Sequence, residues 1–293
     1  MCFDPVCDTI ALEFSFGMTE ILSPHTVSRR AALRFLGVVT VLYPAERKFG
    51  GLSELLAPVT PPPIIFTGFE PFYKGEDWNP STTIVKFLQF RYRNSEKSTS
   101  EMYFLPNLPV NSADPGSAAR QIKEFAYKNC PKGCIVISLG EDPNLFKYNI
   151  AARIEHQSRS SPDAPADFPT KPLPTWQLSD TLYRGIMKNI GDNRQNIFAP
   201  NPNLTVELPF GEDTAGGGIC EETLTSLYEF SYNQARASDP YPILPIGIHV
   251  PNSDKNQFSE PTINIILAVA QVALLHFKEY SHNPETFVRR VVA

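Results

Sequence analysis

The chain has 293 residues, 42% of them hydrophobic and 19% charged, enough to bury a sizeable core in one large domain or two small ones. With 26 Lys+Arg against 31 Asp+Glu the net charge is -5, which removes the general electrostatic case for a nucleic-acid partner. Five cysteines (Cys2, Cys7, Cys130, Cys134, Cys220) are too few and too irregular for a disulfide framework, and no second Cys or His pair makes a zinc set with Cys130 and Cys134, so no metal is expected.

Residues 1–60 read as a leader and linker, and 61–293 as the domain proper. Ser28-Arg29-Arg30-Ala31-Ala32-Leu33, followed by F-L-G-V-V-T-V-L-Y, resembles a twin-arginine export signal, better so if translation starts at Met18. The plainer alternative is an N-terminal helix over Ser28 to Val41. The apolar run is too short for a membrane span. Pro58 to Pro63 is a proline-rich linker.

Ile64 to Phe69 then reads as a buried strand ending at a glycine; Glu70-Pro71-Phe72 follows, then Asn79-Pro80-Ser81, with Ser81 as the cap of a following helix. Met102 to Val110, with two prolines, predicts an edge strand. Asp114 to Lys128 predicts a helix, Cys134 to Leu139 a central strand, and Phe146 to Glu155 a further strand or extended segment. Ser158 to Trp176 is a long polar loop, and Asp180 to Ile190 a helix. Leu204 to Phe210 alternates as a strand, Ile243 to Val250 is another, and Thr262 to Tyr280 is an apolar helix that should cover one sheet face.

Between the last two strands lies D-T-A-G-G-G-I-C-E-E, a glycine loop opening a helix with Cys220 in its first turn. A thiol there meets unpaired N–H groups and the positive end of the helix dipole, both of which favour thiolate. Gly217 and Gly218 let backbone N–H groups turn inward, as an oxyanion hole requires. Strands alternating with helices predict an α/β fold, a three-layer α/β/α sandwich around a mostly parallel twisted sheet. Ligands in such sheets bind beyond the carboxyl strand ends. Gly68–Phe72, Gly140–Asp142, Thr214–Cys220 and His249 all fall there, which puts one thiol and one imidazole on a common rim as nucleophile and base. Phe69 and Phe72, core residues by default, form an apolar slot for a small planar ring if they face that rim.

T-G-F-E-P-F with N-P-S, T-A-G-x-x-x-C (Thr214 to Cys220) and G-x-H-V-P (Gly247 to Pro251) resemble, in the same order, the signature stretches of pyroglutamyl peptidase I. The resemblance covers about Ile64 to the final helix. It implies a cysteine peptidase that removes an N-terminal pyroglutamyl residue from a small blocked peptide without a cofactor, often as a homo-oligomer. By the motifs, Cys220 would be the nucleophile, His249 the base, and Phe69 and Phe72 the holders of the pyrrolidone ring. Glu141 stands where the family has a Gln or an apolar residue near the substrate. The family is cytoplasmic; a real export signal over Ser28 to Leu33 would place this chain outside the cytoplasm.

The departures lie around the site. The family's acid belongs to an E-R-x-A-x-N segment, and the corresponding window here, Tyr148 to Arg153, has no carboxylate; Asn149 is the residue expected to orient the imidazole, a neutral amide being sufficient in some cysteine peptidases, with Glu141 or Asp142 as substitutes from the rim. Glu221 follows the cysteine where the family tends to have Asn, and a carboxylate there opposes a thiolate by like charge. Two further functions stay open at this point: a weakened or inactive member serving as a binding or structural module, and an amidase for another cyclic N-blocked substrate.

Overall fold

The computed structural model describes residues 61–72, 78–92, 101–110, 117–159, 175–209, 219–237, 241–252, 259–282 and 288–291. The leader over 1–60 and the loop glycines Gly217 and Gly218 lie outside these residues. In chain order the elements are β1 (Ile64–Phe69), α1 (Pro80–Tyr92), β2 (Met102–Leu108), α2 (Ala118–Asn129), β3 (Cys134–Asp142), α3 (Pro143–Lys147), β4 (Ile150–Ile154), β5 (Gln157–Arg159), β6 (Thr175–Leu178), α4 (Asp180–Asp192), α5 (Arg194–Phe198), β7 (Thr205–Glu207), α6 (Ile219–Ala235), β8 (Ile243–Pro251), α7 (Glu260–His282) and β9 (Val288–Val291).

Six strands form one sheet in the order β2-β1-β3-β8-β4-β7. The run β2-β1-β3-β8 is parallel, β4 is antiparallel to β8, and β7 is parallel to β4. Parallel strands covered on both faces must be apolar at nearly every position. All six residues of β1 and the first seven of β3 are buried accordingly. Strand alternation sends Ile135, Ile137 and Leu139 into one core with α1, α4 and α7, and Cys134 and Val136 into another with Phe69 and α2. The chain is therefore an α/β fold with helices on both faces of a mostly parallel sheet. The long helix α7 has the length and apolarity of a membrane span, yet most of its apolar side chains are buried in the first core.

Capping fixes several helix starts. Ser117 accepts from the Arg120 N–H at 3.3 Å and caps α2; Asp114, where the sequence reading started this helix, lies outside the described residues. Ser179 accepts from the Leu182 N–H at 3.1 Å and starts α4. Each such cap contributes about 1 kcal/mol.

The segment Phe146–Glu155 is divided rather than continuous. Asp142 accepts from the Asn144 N–H at 2.8 Å and Pro143 takes the first helical position, so the chain makes the short helix α3 at the rim. Asn149, at φ 56, then turns it into β4. A link this short cannot make the crossover a parallel strand needs, so β4 runs back down the sheet. Pro209 follows β7, which is reduced to Thr205–Glu207. The polar loop 158–176 carries strands at both ends, β5 and β6, which join β9 in a small antiparallel sheet.

Candidate active site

The T-G-F-E-P-F and N-P-S stretches interlock. A Cβ on Gly68 would lie 2.7 Å from the Ser81 carbonyl carbon and 2.8 Å from the Thr82 nitrogen, so only glycine lets the start of α1 press against β1. Ser81 Oγ accepts from the Phe69 N–H at 3.0 Å, Thr82 Oγ1 donates to the Phe69 carbonyl at 2.6 Å, and Asn79 Nδ2 donates to the Glu70 carbonyl at 3.1 Å. These bonds hold Phe69 rigidly. Its ring is fully buried, 6.0 Å from the half-buried Phe72 ring, in the apolar cluster against which Cys220 packs.

Three strands and one helix deliver the polar groups. In the β3–β8 register Gly140 lies opposite His249, and α6 brings Cys220 over them. A Cβ on Gly140 would fall 2.7 Å from Cys220 Sγ and 2.8 Å from His249 Nε2. The thiol and the imidazole therefore meet directly above a strand position that has no side chain, and they are hydrogen-bonded to each other. On the far side of the ring, His249 Nδ1 lies 2.7 Å from Glu155 Oε1. An ionised carboxylate can only accept, so Nδ1 carries the proton and Nε2 faces the sulfur. Glu155 is 1% exposed, and its backbone N–H donates to the Gly247 carbonyl at 3.0 Å. Burial disfavours a charged His249 ring, but hydrogen bonds to Cys220 and Glu155 and their negative charge prevail, raising its pKa to about 10. An imidazolium stable at neutral pH is the natural counter-ion of a thiolate.

Asn149 does not occupy the orienting position. It is exposed, lies beyond the opposite end of β4, and its carbonyl accepts from the Thr205 N–H at 3.0 Å. Arg153 is the β4 residue opposite His249, so Asn149 lies roughly 13 Å away along the strand. The carboxylate is at Glu155, in I-E-H-Q, two residues past the window read for it. The signal was the one that picked out His249, a polar residue just past the end of an apolar strand. Glu141 also falls elsewhere. Alternation turns it to the face opposite Gly140, where it accepts a hydrogen bond from Asn252. Arg153 escaped the sequence; it bonds Asp142 at 2.8 Å and Glu207 at 2.9 Å, tying β3, β4 and β7 together at the rim.

A small cavity of about 10 Å³ opens beside the thiol, lined among others by Ser138, Glu155, Cys220, Glu221 and His249. No group of three or more His, Cys, Asp or Glu among the described residues is arranged to hold a metal.

No family model and no curated protein matches the chain. Among solved structures, a mutant pyrrolidone carboxyl peptidase from P. furiosus is similar at 18% identity and a TM-score of 0.47, over 73% of this chain and 98% of that one. A purine nucleoside phosphorylase from Toxoplasma gondii, in complex with immucillin-H, is similar at 10% identity and a TM-score of 0.39, over 75% of this chain and 92% of that one. Likenesses this distant, to two different chemistries, carry no argument about activity, which has to be sought in the site itself.

Proposed function

We propose that this chain is a cysteine peptidase of pyroglutamyl peptidase type, with Cys220 as nucleophile, His249 as acid and base, and Glu155 as the residue that positions and charges the imidazole. The observation that supports it is the run of contacts Cys220–His249–Glu155 across Gly140, with Phe69 and Phe72 in the adjoining apolar cluster. The Cys220 thiolate attacks the carbonyl of the blocked N-terminal residue, and the negative charge moves onto that oxygen. Collapse of this intermediate breaks the C–N bond while the imidazolium gives its Nε2 proton to the departing amine. His249, now neutral, takes a proton from water, whose oxygen attacks the thioester and restores the thiol pair. Glu155 stays ionised throughout and holds the ring in one orientation. The glycine loop before Cys220 would supply the oxyanion N–H groups, as expected from its sequence. The aromatic pair favours a flat, uncharged ring such as pyrrolidone over a free α-ammonium group.

Purified protein is expected to release the fluorophore from a pyroglutamyl amide, with Cys220→Ser at least about a thousandfold slower. Wild-type activity no higher than that of Cys220→Ser would remove the proposal. Cleavage confined to other cyclic N-blocked amides in the same panel would make the chain an amidase of different specificity. The case for an inactive module came from the missing acid and from Glu221 beside the thiol; for the first of these, Glu155 supplies a carboxylate in hydrogen-bond contact with His249.

A further inference from the structure

Cys130 and Cys134 stand at the end of β3 remote from the site, on either side of the turn Pro131-Lys132-Gly133. Both are free thiols, and both are fully buried in the apolar cluster that includes Ile122, Ala126, Val136 and Ile243. The backbone is pinned on each side of them. Cys130 ends α2 with its N–H donating to the Ala126 carbonyl at 2.8 Å. Its own carbonyl accepts from the Gly133 N–H at 2.9 Å and from the Tyr241 hydroxyl at 2.7 Å. Gly133 turns the chain at φ 88, and a Cβ on it would run into the Pro242 carbonyl oxygen, so the turn accepts only glycine. Cys134 then opens β3, its N–H donating to that same carbonyl at 3.0 Å. Between these fixed points the two side chains meet, thiol hydrogen-bonded to thiol.

A buried cysteine is ordinarily a small, inert apolar residue. This pair differs because the turn holds one thiol against the other, and their contact makes them unequal. The hydrogen bond from Cys134 lowers the Cys130 pKa against the opposing effect of burial, whereas the same contact and burial together raise that of Cys134. One thiol is thereby suited to attack and the other to resolve. We infer that Cys130 and Cys134 form a reversible disulfide across the α2–β3 turn by exchange with a small disulfide of the oxidised glutathione class. The Cys130 thiolate attacks one sulfur of the oxidant and expels a thiolate, leaving a mixed disulfide. The Cys134 sulfur then attacks the Cys130 sulfur and expels the second thiolate. The two protons of the pair pass to the two departing thiolates, and the two electrons it loses reduce the oxidant to two thiols. Both sulfurs are covered, so exchange waits for the turn to open. Cys220 sits beside Gly140, about 20 Å further along β3, out of reach of either sulfur. The modification site is separate from the nucleophile, and the inference does not rest on the peptidase reading.

The test uses the full chain, incubated in glutathione buffers of graded reduced-to-oxidised ratio, quenched with acid, unfolded, alkylated with N-ethylmaleimide and digested with trypsin. Cleavage after Lys128, Lys132 and Lys147 puts the two cysteines on separate peptides, 129–132 and 133–147, so mass spectrometry reads the bond as a covalent link between them. The link is expected in buffers that still contain reduced glutathione, and it should disappear on treatment with dithiothreitol. A parallel sample refolded from urea in the same buffers removes access to the buried sulfurs as a limit. Both cysteines alkylated in both samples would overturn the inference. So would a link seen only where reduced glutathione is absent, which is forced oxidation, or an unresolved glutathione adduct on Cys130 in place of the link. Pairing of either cysteine with Cys2, Cys7 or Cys220 would overturn it as well. Cys220→Ser is expected to show the same link at the same buffer ratios, and loss of the link there would mean that the nucleophile relays the exchange, against the inference. No peptide substrate enters the experiment, so its outcome and that of the pyroglutamyl assay are read separately.

Discussion

Glu155 and Asn149 are six residues apart, and the catalytic proposal distinguishes them sharply. Glu155→Gln keeps the shape of the side chain but lets its amide turn a donor towards Nδ1, which misplaces the ring proton and removes the charge behind the imidazolium. A loss of kcat of about 10²–10⁴ is expected, by analogy with the corresponding change in serine triads. Asn149→Ala touches an exposed turn and should leave kcat within about a factor of two, although loss of its favoured left-handed backbone costs some stability. Steady-state kinetics on the two variants separates the expectations; equal losses would mean that Glu155 is not the positioning group. The pH dependence follows from the same contacts. The folded value for His249, about 10, lies above the ordinary 6.5, so the stabilisation it brings is complete below 6.5 and is lost as pH rises through about 10. Activity should therefore fall on the alkaline side near that value, and Glu155→Gln should bring the fall to lower pH.

At the scale of elements, the site depends on register more than on any single side chain. Gly140 and His249 are opposite each other because β3 and β8 pair without a break from Cys134↔Ile243 to Asp142↔Pro251. Gly140→Ala leaves this pairing intact but places a methyl 2.7 Å from the sulfur and 2.6 Å from the His249 Cδ2. Relieving the overlap means separating the thiol from the ring, so a loss of about a hundredfold or more in kcat/KM is expected beside a stability cost of about 1–3 kcal/mol. A urea titration together with the kinetic assay would show both, and unchanged kcat/KM would mean that sulfur and ring do not meet there. The sequence carried much of this level. Apolar runs marked β1, β3 and β8, and the rule that α/β sites collect at carboxyl strand ends brought Cys220 and His249 to one rim. It read Phe146 to Glu155 as a further strand or extended segment but missed the reversal there, which depends on Asp142 and Pro143 starting one short helical turn. Asn149 came from laying the family's acid segment on Tyr148 to Arg153, whereas the antiparallel direction of β4 brings Glu155, just past its end, to His249. The small sheet of β5, β6 and β9 was illegible because Q-S-R has no apolar residue, T-W-Q-L alternates over only four residues, and β6 finds its second neighbour, β9, at the far end of the chain.

In the whole molecule, the residue that leads into that small sheet sets part of the acid stability. Glu155 ends the strand side of the site, and the next residue, His156, enters the second sheet fully buried, its ring centroid 4.3 Å from that of Tyr183. Burial lowers the His156 pKa to about 4. Asp180 is 3.7 Å away but half-exposed and held by Arg289 at 2.8 Å, so its pull upwards is the weaker effect. The folded value lies below the ordinary 6.5, and the unfolded chain therefore binds the proton first as pH falls. Stability from this residue is complete above about 6.5 and is lost progressively down to about 4. The difference between pH 7.5 and pH 5 amounts to about 2 kcal/mol. Urea unfolding at the two values should show this loss in wild type and a smaller one in His156→Gln, which fills a similar volume without titrating. Equal losses in the two proteins would assign acid sensitivity to the carboxylates instead. Because His156 and Glu155 are consecutive, catalytic activity on the acid side is expected to decline together with the unfolding free energy in wild type and to decline less in His156→Gln, as a pH profile of kcat beside the urea titrations would show.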